Sequence, residues 1–336
     1  MTGKISLRLE FMIFIFFILT FFLFLYKSKD PYLLTKKRSD VLKALFPFSI
    51  IIGHVYFQYP YFFFQDFRWA GPYVVGGFFF MSGYGLEYKY EHAGFNLETF
   101  KRRILRLFIP VVPPLIIYLL VRIAMGLPLV DYILEDLRSY SLVLPMTWFV
   151  ISLFFLYLFY YIGRCLHLSN KVHNVSMFFL ITILAVFLIK VGMSGTTFES
   201  NYAFLCGIIF KQKEYKIIRI RRGIVFMLSL MFFSAIAFSY IHNLPPFRGF
   251  ATIGVIIYVW TFFYLFSFVP IKDSRLLHFL KSISYELYLC QGILFLILSN
   301  YPFPWYVFLT LLLFGDIVCA WICQDVTDML LRKIRC

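Results

Sequence analysis

The sequence predicts an all-α, polytopic integral-membrane bundle of about eleven transmembrane helices. Three observations predict it. Hydrophobic residues make up 61% of the 336 residues and charged residues only 15%, whereas a soluble domain is about half apolar and a quarter charged. The apolar residues come in continuous runs, not in the alternating ~10-residue segments of a membrane barrel. Lys and Arg gather in every second connection between those runs, as they do in loops held on one side of a bilayer.

Taken in order, the runs place spans at 9–26, 41–57, 73–88, 104–125, 146–163, 175–192, 199–210, 223–241, 250–270, 277–299 and 303–324. The first is followed by Lys27 and Lys29, not by a small-residue cleavage site, so it reads as a retained anchor. The seventh is short enough to tilt or re-enter. With the N-terminus outside, the inner segments hold 24 of the 32 Lys and Arg and the outer side holds seven; Lys43 lies inside a span. That bias predicts an outer N-terminus and a cytoplasmic C-terminus. The net charge of +15 is thereby explained by topology and anionic lipid, and nucleic-acid binding is not expected.

The second span carries the most expensive side chains. Asp40 and Lys43 stand at its inner foot and His54 near its far end. Eleven residues at ~100° each make three turns plus about 20°, so Lys43 and His54 share a stripe, roughly 16 Å apart. Asp40 is about 40° off that line. Ionisable groups on one stripe of a membrane helix are functional candidates by default. Asp40 is three turns from His54, too far to orient it, and is better placed to pair with Lys43 or with cations nearby.

The third span contains Gly76-Gly-Phe-Phe-Phe-Met-Ser-Gly-Tyr-Gly85. Four glycines in ten positions favour close helix packing. The fourth span opens with Lys101, Arg102, Arg103 and Arg106, a cationic collar in which Arg102 and Arg103 each share a face with Arg106. By themselves these residues leave two readings open, a headgroup anchor and a clamp for a phosphate-bearing ligand. Pro110, Pro113 and Pro114 then kink the span.

The basic loop 211–222 reads as a topology anchor, and the outer loops 58–72 and 126–145 as contacts for sugar or solvent. Thr147, Glu286, Gln291 and Asp316 are polar residues within spans; Asp316 needs a partner, for which Lys43 or a collar arginine is available. The remaining histidines (92, 167, 173, 242 and 278) fall in loops or at span ends and read as surface residues. Six scattered cysteines show no CxxC and no zinc spacing. Cys319 and Cys323 share a helix face but read as packing thiols, so neither a metal nor a structural disulfide is expected.

These residues resemble the acyltransferase-3 family of membrane acyltransferases. Lys43-x10-His54 resembles its Arg/Lys-x10-His signature, and Gly77-Phe-Phe-Phe-Met-Ser-Gly-Tyr84 its Phe-Phe-x-x-Ser-Gly-Phe segment. Phe100-x-x-Arg103-x-x-Arg106-x-x-x-Pro110 is similar to its Arg-x-x-Arg…Pro segment, Thr147-Trp148-Phe149 to its mid-chain Trp-Phe motif, and Ile283-Ser-Tyr-x-x-Tyr-Leu289 to its late Ser-Tyr-x-x-Tyr-Leu motif. The order agrees over about residues 38–325. The resemblance implies a ten-span core, so that residues 1–37 form an extra anchor and basic linker and 38–336 the acyltransferase-like domain. One departure stands out: where the family often has a histidine, two positions after the late Tyr-Leu, this chain has Gln291.

The resemblance further implies transfer of an acyl group, usually acetyl, from cytosolic acyl-coenzyme A to a hydroxyl of a cell-envelope or exported polysaccharide or its lipid-linked precursor. The expected setting is the bacterial cytoplasmic membrane. Arg102, Arg103 and Arg106 would hold the phosphates of acetyl-CoA, with Lys43 and Asp40 at the same mouth. His54 would serve as general base or accept the acyl group and relay it. Two other classes compete: a transporter or flippase for a lipid-linked saccharide or small anion, with His54 and Asp316 as a proton path, and a non-catalytic acyltransferase-like membrane protein.

Overall fold

The computed structural model describes residues 34–138, 141–193, 196–241, 249–272 and 274–334. Every long element in them is a helix, and the span expected at 9–26 lies outside them. Thirteen helices matter for the site: α1 (Lys36–His54), α2 (Phe62–Ala93), α3 (Leu97–Phe108), α4 (Val112–Ala124), α5 (Val130–Arg138), α6 (Trp148–Cys165), α7 (Asn170–Lys190), α8 (Tyr202–Gln212), α9 (Arg222–Ile241), α10 (Gly249–Phe266), α11 (Arg275–Ser282), α12 (Ser284–Leu298) and α13 (Trp305–Lys333). A helix occupies each of the ten apolar runs expected after the first. Among the described residues, five helical stretches are long and apolar enough to cross a membrane, or six when the bent pair α11–α12 is taken as one span. The chain is an all-helical membrane bundle; the eleven-span count goes beyond what these lengths establish.

Local chemistry sets the helix ends. Thr35 caps α1 by accepting from the Arg38 amide, and Asn96 caps α3 by accepting from Thr99 at 2.9 Å. Gly94, at φ +69° and ψ 172°, stops α2 in an extended positive-φ conformation that glycine adopts without a Cβ penalty. The run predicted as one span at 104–125 is broken by a 3₁₀ turn over Ile109–Val111, where Pro110 withholds its donor. The run at 277–299 bends by 62° at Ile283, which is fully buried.

In lipid, helices associate by close packing, because burial in protein gains little over burial among acyl chains. The glycines of α2 do this work. A Cβ on Gly83 would stand 2.1 Å from the Phe204 carbonyl oxygen, and one on Gly207 would stand 2.1 Å from that of Phe80. Only glycine admits that backbone approach, so α2 and α8 form the tightest pair of the core, with α1 against the other side of α2. Aromatic rings fill the remainder: Phe80 stacks on Phe263 at 4.1 Å and meets Phe210 edge-on at 5.1 Å.

Three expectations are corrected. His173 is no surface residue: it is fully buried, edge-on to Tyr160 at 5.2 Å and seated against Gly163. The start of loop 211–222 is no bare anchor, since Lys211 and Glu214 enter a buried ion network described below. Asp316 is fully buried, with no hydrogen-bond partner for either oxygen and no ion pair to Lys43 or the collar among the described residues.

Candidate functional site

A cavity of about 590 Å³ opens where α1, α2, α3, α6 and α12 meet. Each wall brings a stretch singled out in the sequence. Lys43 comes from α1, Ser82 and Lys89 from α2, Arg102, Arg103 and Arg106 from α3, Phe149 and Tyr157 from α6, and Ser284, Tyr285 and Tyr288 from α12. The amphipathic α3 explains the collar: Arg102, Arg103 and Arg106 take one face, while half-buried Phe100, Ile104 and Phe108 take the other. Arg102 is held by exposed Glu98 at 2.9 Å. Lys43, Arg103 and Arg106 have no carboxylate within salt-bridge distance among the described residues. Asp40, one turn before Lys43 on α1, pairs with Lys281 at 3.9 Å, beside a smaller cavity lined by Lys37, Lys272 and His278.

The apolar wall is rigid for stated reasons. Tyr285 donates to the Leu107 carbonyl at 2.8 Å and Tyr288 to that of Met146 at 3.0 Å. Phe149 stands edge-on to both tyrosine rings, 4.5 Å from Tyr288. Thr147, fully buried, donates to the Leu144 carbonyl and accepts from the Leu142 amide, which ties up the loop before α6. That loop places Val143 and Met146 in the left-handed region, at φ +62° and +66°. Strain of this kind, of order 1–3 kcal/mol per residue, persists where the surroundings over-determine the chain, and it clusters at functional sites. Pro145 of the loop lies against Gly292 of α12, beside Gln291.

His54 is not on the wall of this cavity. It sits at the other end of the α1 stripe, half-buried, with Nδ1 2.7 Å from Gln291 Oε1. Gln291 is 1% exposed, and its Nε2 donates to the Tyr288 carbonyl at 2.8 Å. That second bond orients the amide. Its oxygen, which can only accept, must face the ring, so His54 Nδ1 carries the proton and Nε2 is left with its lone pair. Tyr288 and Gln291 are one turn apart on α12, so the cavity wall and the imidazole are joined through a single helical turn. The role of Gln291 was hidden in the sequence: the departure from the family pattern marked the position, but only the α1–α12 packing shows its partner.

A second polar cluster was missed altogether. Glu87 of α2 is 1% exposed and pairs with Arg164 of α6. Tyr160 donates to Glu87 at 2.8 Å and Gln212 at 2.9 Å; Arg164 also donates to Asn170 and lies 4.0 Å over the Tyr90 ring. Lys211 bridges Glu91 at 3.2 Å and Glu214 at 2.8 Å, and Tyr84 donates to Glu214 at 2.6 Å. In the sequence, Glu87 and Arg164 are only charges at the ends of two apolar runs, and nothing local pairs them.

A family model described as an acyltransferase domain (Acyl_transf_3) matches residues 36–324. No curated protein and no solved structure matches the chain.

Proposed function

The chain belongs to the acyltransferase-3 family and is a membrane acyltransferase; from that premise we propose that it moves an acyl group, acetyl in the first instance, from cytosolic acyl-CoA to a hydroxyl of an exported or cell-envelope polysaccharide or its lipid-linked precursor. One observation carries the reading: the cavity whose rim holds Lys43, Arg103 and Arg106 without carboxylate partners is one helical turn from the His54–Gln291 pair. Cations left uncompensated at a cavity mouth suit the phosphates of coenzyme A, because charge-assisted bonds to phosphate are the strong ones. The mouth then faces the cytoplasm, the N-terminus lies outside, and the protein resides in the cytoplasmic membrane of a bacterium.

The chemistry follows from the tautomer. Gln291 holds the proton on Nδ1, so His54 Nε2 is the reacting atom. As a base it takes the proton of the acceptor hydroxyl while the hydroxyl oxygen attacks the thioester carbonyl. The carbon–sulfur bond breaks and CoA leaves as the thiolate, which is then protonated. As a relay, Nε2 attacks the same carbonyl and the CoA thiolate leaves; the resulting acyl-imidazolium is then attacked by the acceptor hydroxyl, the N–acyl bond breaks, and the freed Nε2 takes the hydroxyl proton, which passes to the thiolate or to water. Gln291 is neutral and so adds orientation without the countercharge that a carboxylate would supply.

The test is acyl transfer from labelled acetyl-CoA in membranes carrying the full chain. Replacing His54 with Ala should lower transfer by about 10²–10⁴-fold, the usual contribution of a positioned acid–base group, with insertion unchanged. Unaltered envelope acylation in that variant overturns the assignment, and lost saccharide or anion flux with acylation intact identifies a transporter instead. The Gln291→Leu variant should lower kcat by about tenfold, near the ~1.5 kcal/mol upper end for a neutral hydrogen bond, while leaving the KM for acyl-CoA unchanged. A rise in KM without a change in kcat would place Gln291 in binding rather than in orientation.

A further inference from the structure

Outside the site above, three cysteines from two helices converge. The Sγ atoms of Cys290 on α12 and of Cys319 and Cys323 on α13 all lie within 4.8 Å of one another, and those of Cys290 and Cys323 are 3.7 Å apart. Cys290 and Cys323 are fully buried and Cys319 partly so. The sequence could show only the Cys319–Cys323 pair, one turn apart on one helix. The third sulfur arrives because α12 and α13 pack side by side.

The spacing is that of a ligand set. Zinc–thiolate bonds of ≈ 2.3 Å in a tetrahedral arrangement place neighbouring sulfurs about 3.8 Å apart. A second observation points the same way. Asp316 lies on the same stripe of α13, one turn before Cys319 and two before Cys323. It is fully buried, and neither carboxylate oxygen has a hydrogen-bond partner among the described residues. A buried carboxylate left without a countercharge is costly, and a cation at the three sulfurs would supply one nearby.

We propose that Cys290, Cys319 and Cys323 form a membrane-embedded binding site for a thiophilic metal ion of the Zn²⁺ class, with Asp316 as the adjacent anion. Soft thiolates select such ions. Binding exchanges thiol protons for metal–sulfur bonds, with no change of oxidation state: each coordinating thiol that ionises releases one proton, and one such loss together with the ionised Asp316 carboxylate balances the charge of a divalent ion. The site would pin α12 to α13 at Cys290, the residue next to Gln291, which gives it a structural place beside the transfer site without a part in the reaction.

The experiment uses the full chain, purified in detergent under reducing conditions, with Cd²⁺ as the probe. The expected result is one equivalent of Cd²⁺ bound, a near-ultraviolet sulfur-to-cadmium charge-transfer band, and loss of that band in the Cys290→Ala/Cys319→Ala/Cys323→Ala variant. A second measurement needs no variant. Cd²⁺ should block alkylation of Cys290, Cys319 and Cys323 in the wild-type chain, mapped by mass spectrometry, while exposed Cys165 reacts as before. The proposal is overturned if no band forms in the wild-type chain, if Cd²⁺ fails to protect these thiols, or if a Cys290–Cys323 disulfide is recovered in place of thiols.

Discussion

Two groups of cations stand near the same end of the bundle, on linked helices, and they differ in what answers their charge. Arg164 and Lys211 are met by Glu87, Glu91 and Glu214, with Tyr84, Tyr160, Asn170 and Gln212 completing the hydrogen bonds. Lys43, Arg103 and Arg106 face a cavity with no such partner among the described residues. The difference separates structure from function more clearly than charge density does. A buried cation stabilises a membrane bundle only when its countercharge is built in. A cation left open at a cavity implies that the countercharge arrives with a ligand.

The sharpest way to break this comparison is to strip the countercharge from the first group. The Glu87→Ala variant leaves Arg164 buried and unpaired, and should cost about 3–5 kcal/mol. Loss of folded, inserted protein, measured by detergent size-exclusion and thermal unfolding, is the expected outcome. A variant that folds normally but loses acyl-CoA affinity would move Glu87 into the ligand site and erase the distinction.

Removing a cation from the second group should do the reverse. The Arg106→Ala variant should insert normally and raise the KM for acyl-CoA about tenfold or more, the loss of a charge-assisted bond worth ≈ 1.5–3 kcal/mol. Arg103→Ala should behave alike. Unchanged KM in both would make the collar a headgroup anchor, the other reading of its sequence.

The smallest effect sharpens the contrast within the collar itself. Arg102 is more than half exposed and already bound to Glu98. An exposed i,i+4 pair is worth about 0.3–0.5 kcal/mol, so Arg102→Ala should change KM by about twofold. A loss as large as that of Arg106 would show that Arg102 leaves Glu98 for the ligand.

The candidate site was legible in the sequence as parts. Lys43, His54, Arg103 and Arg106 stand out because polar groups are costly on membrane helices, whereas Phe149 and the Ser284–Tyr288 run stand out only through their resemblance to the family's motifs. The sequence offers Asp40 to Lys43 or the collar; the fold leaves its charge near Lys43 and adds an ion pair to Lys281, on a helix more than 200 residues away in sequence. His173 was read as exposed because it lies near a predicted span end. The apposition of Gly163 on α6, which leaves room for the ring, buries it. In each case the deciding contact is between residues far apart in the chain.

Composition, continuous apolar runs and the Lys/Arg bias determine by themselves that this chain is a helical membrane protein, and helical periodicity determines that Lys43 and His54 share a stripe. Those are local properties, set by the solvent and by 100° per residue. Only the tertiary structure decided that five separated segments close around one cavity, that Gln291 sets the His54 tautomer, that Glu87 neutralises Arg164, and that Cys290 joins Cys319 and Cys323. The physical reason is common to all four. Each depends on which helices touch, and in lipid that is settled by close packing at sites such as Gly83 and Gly207, not by the polarity pattern that a single sequence displays.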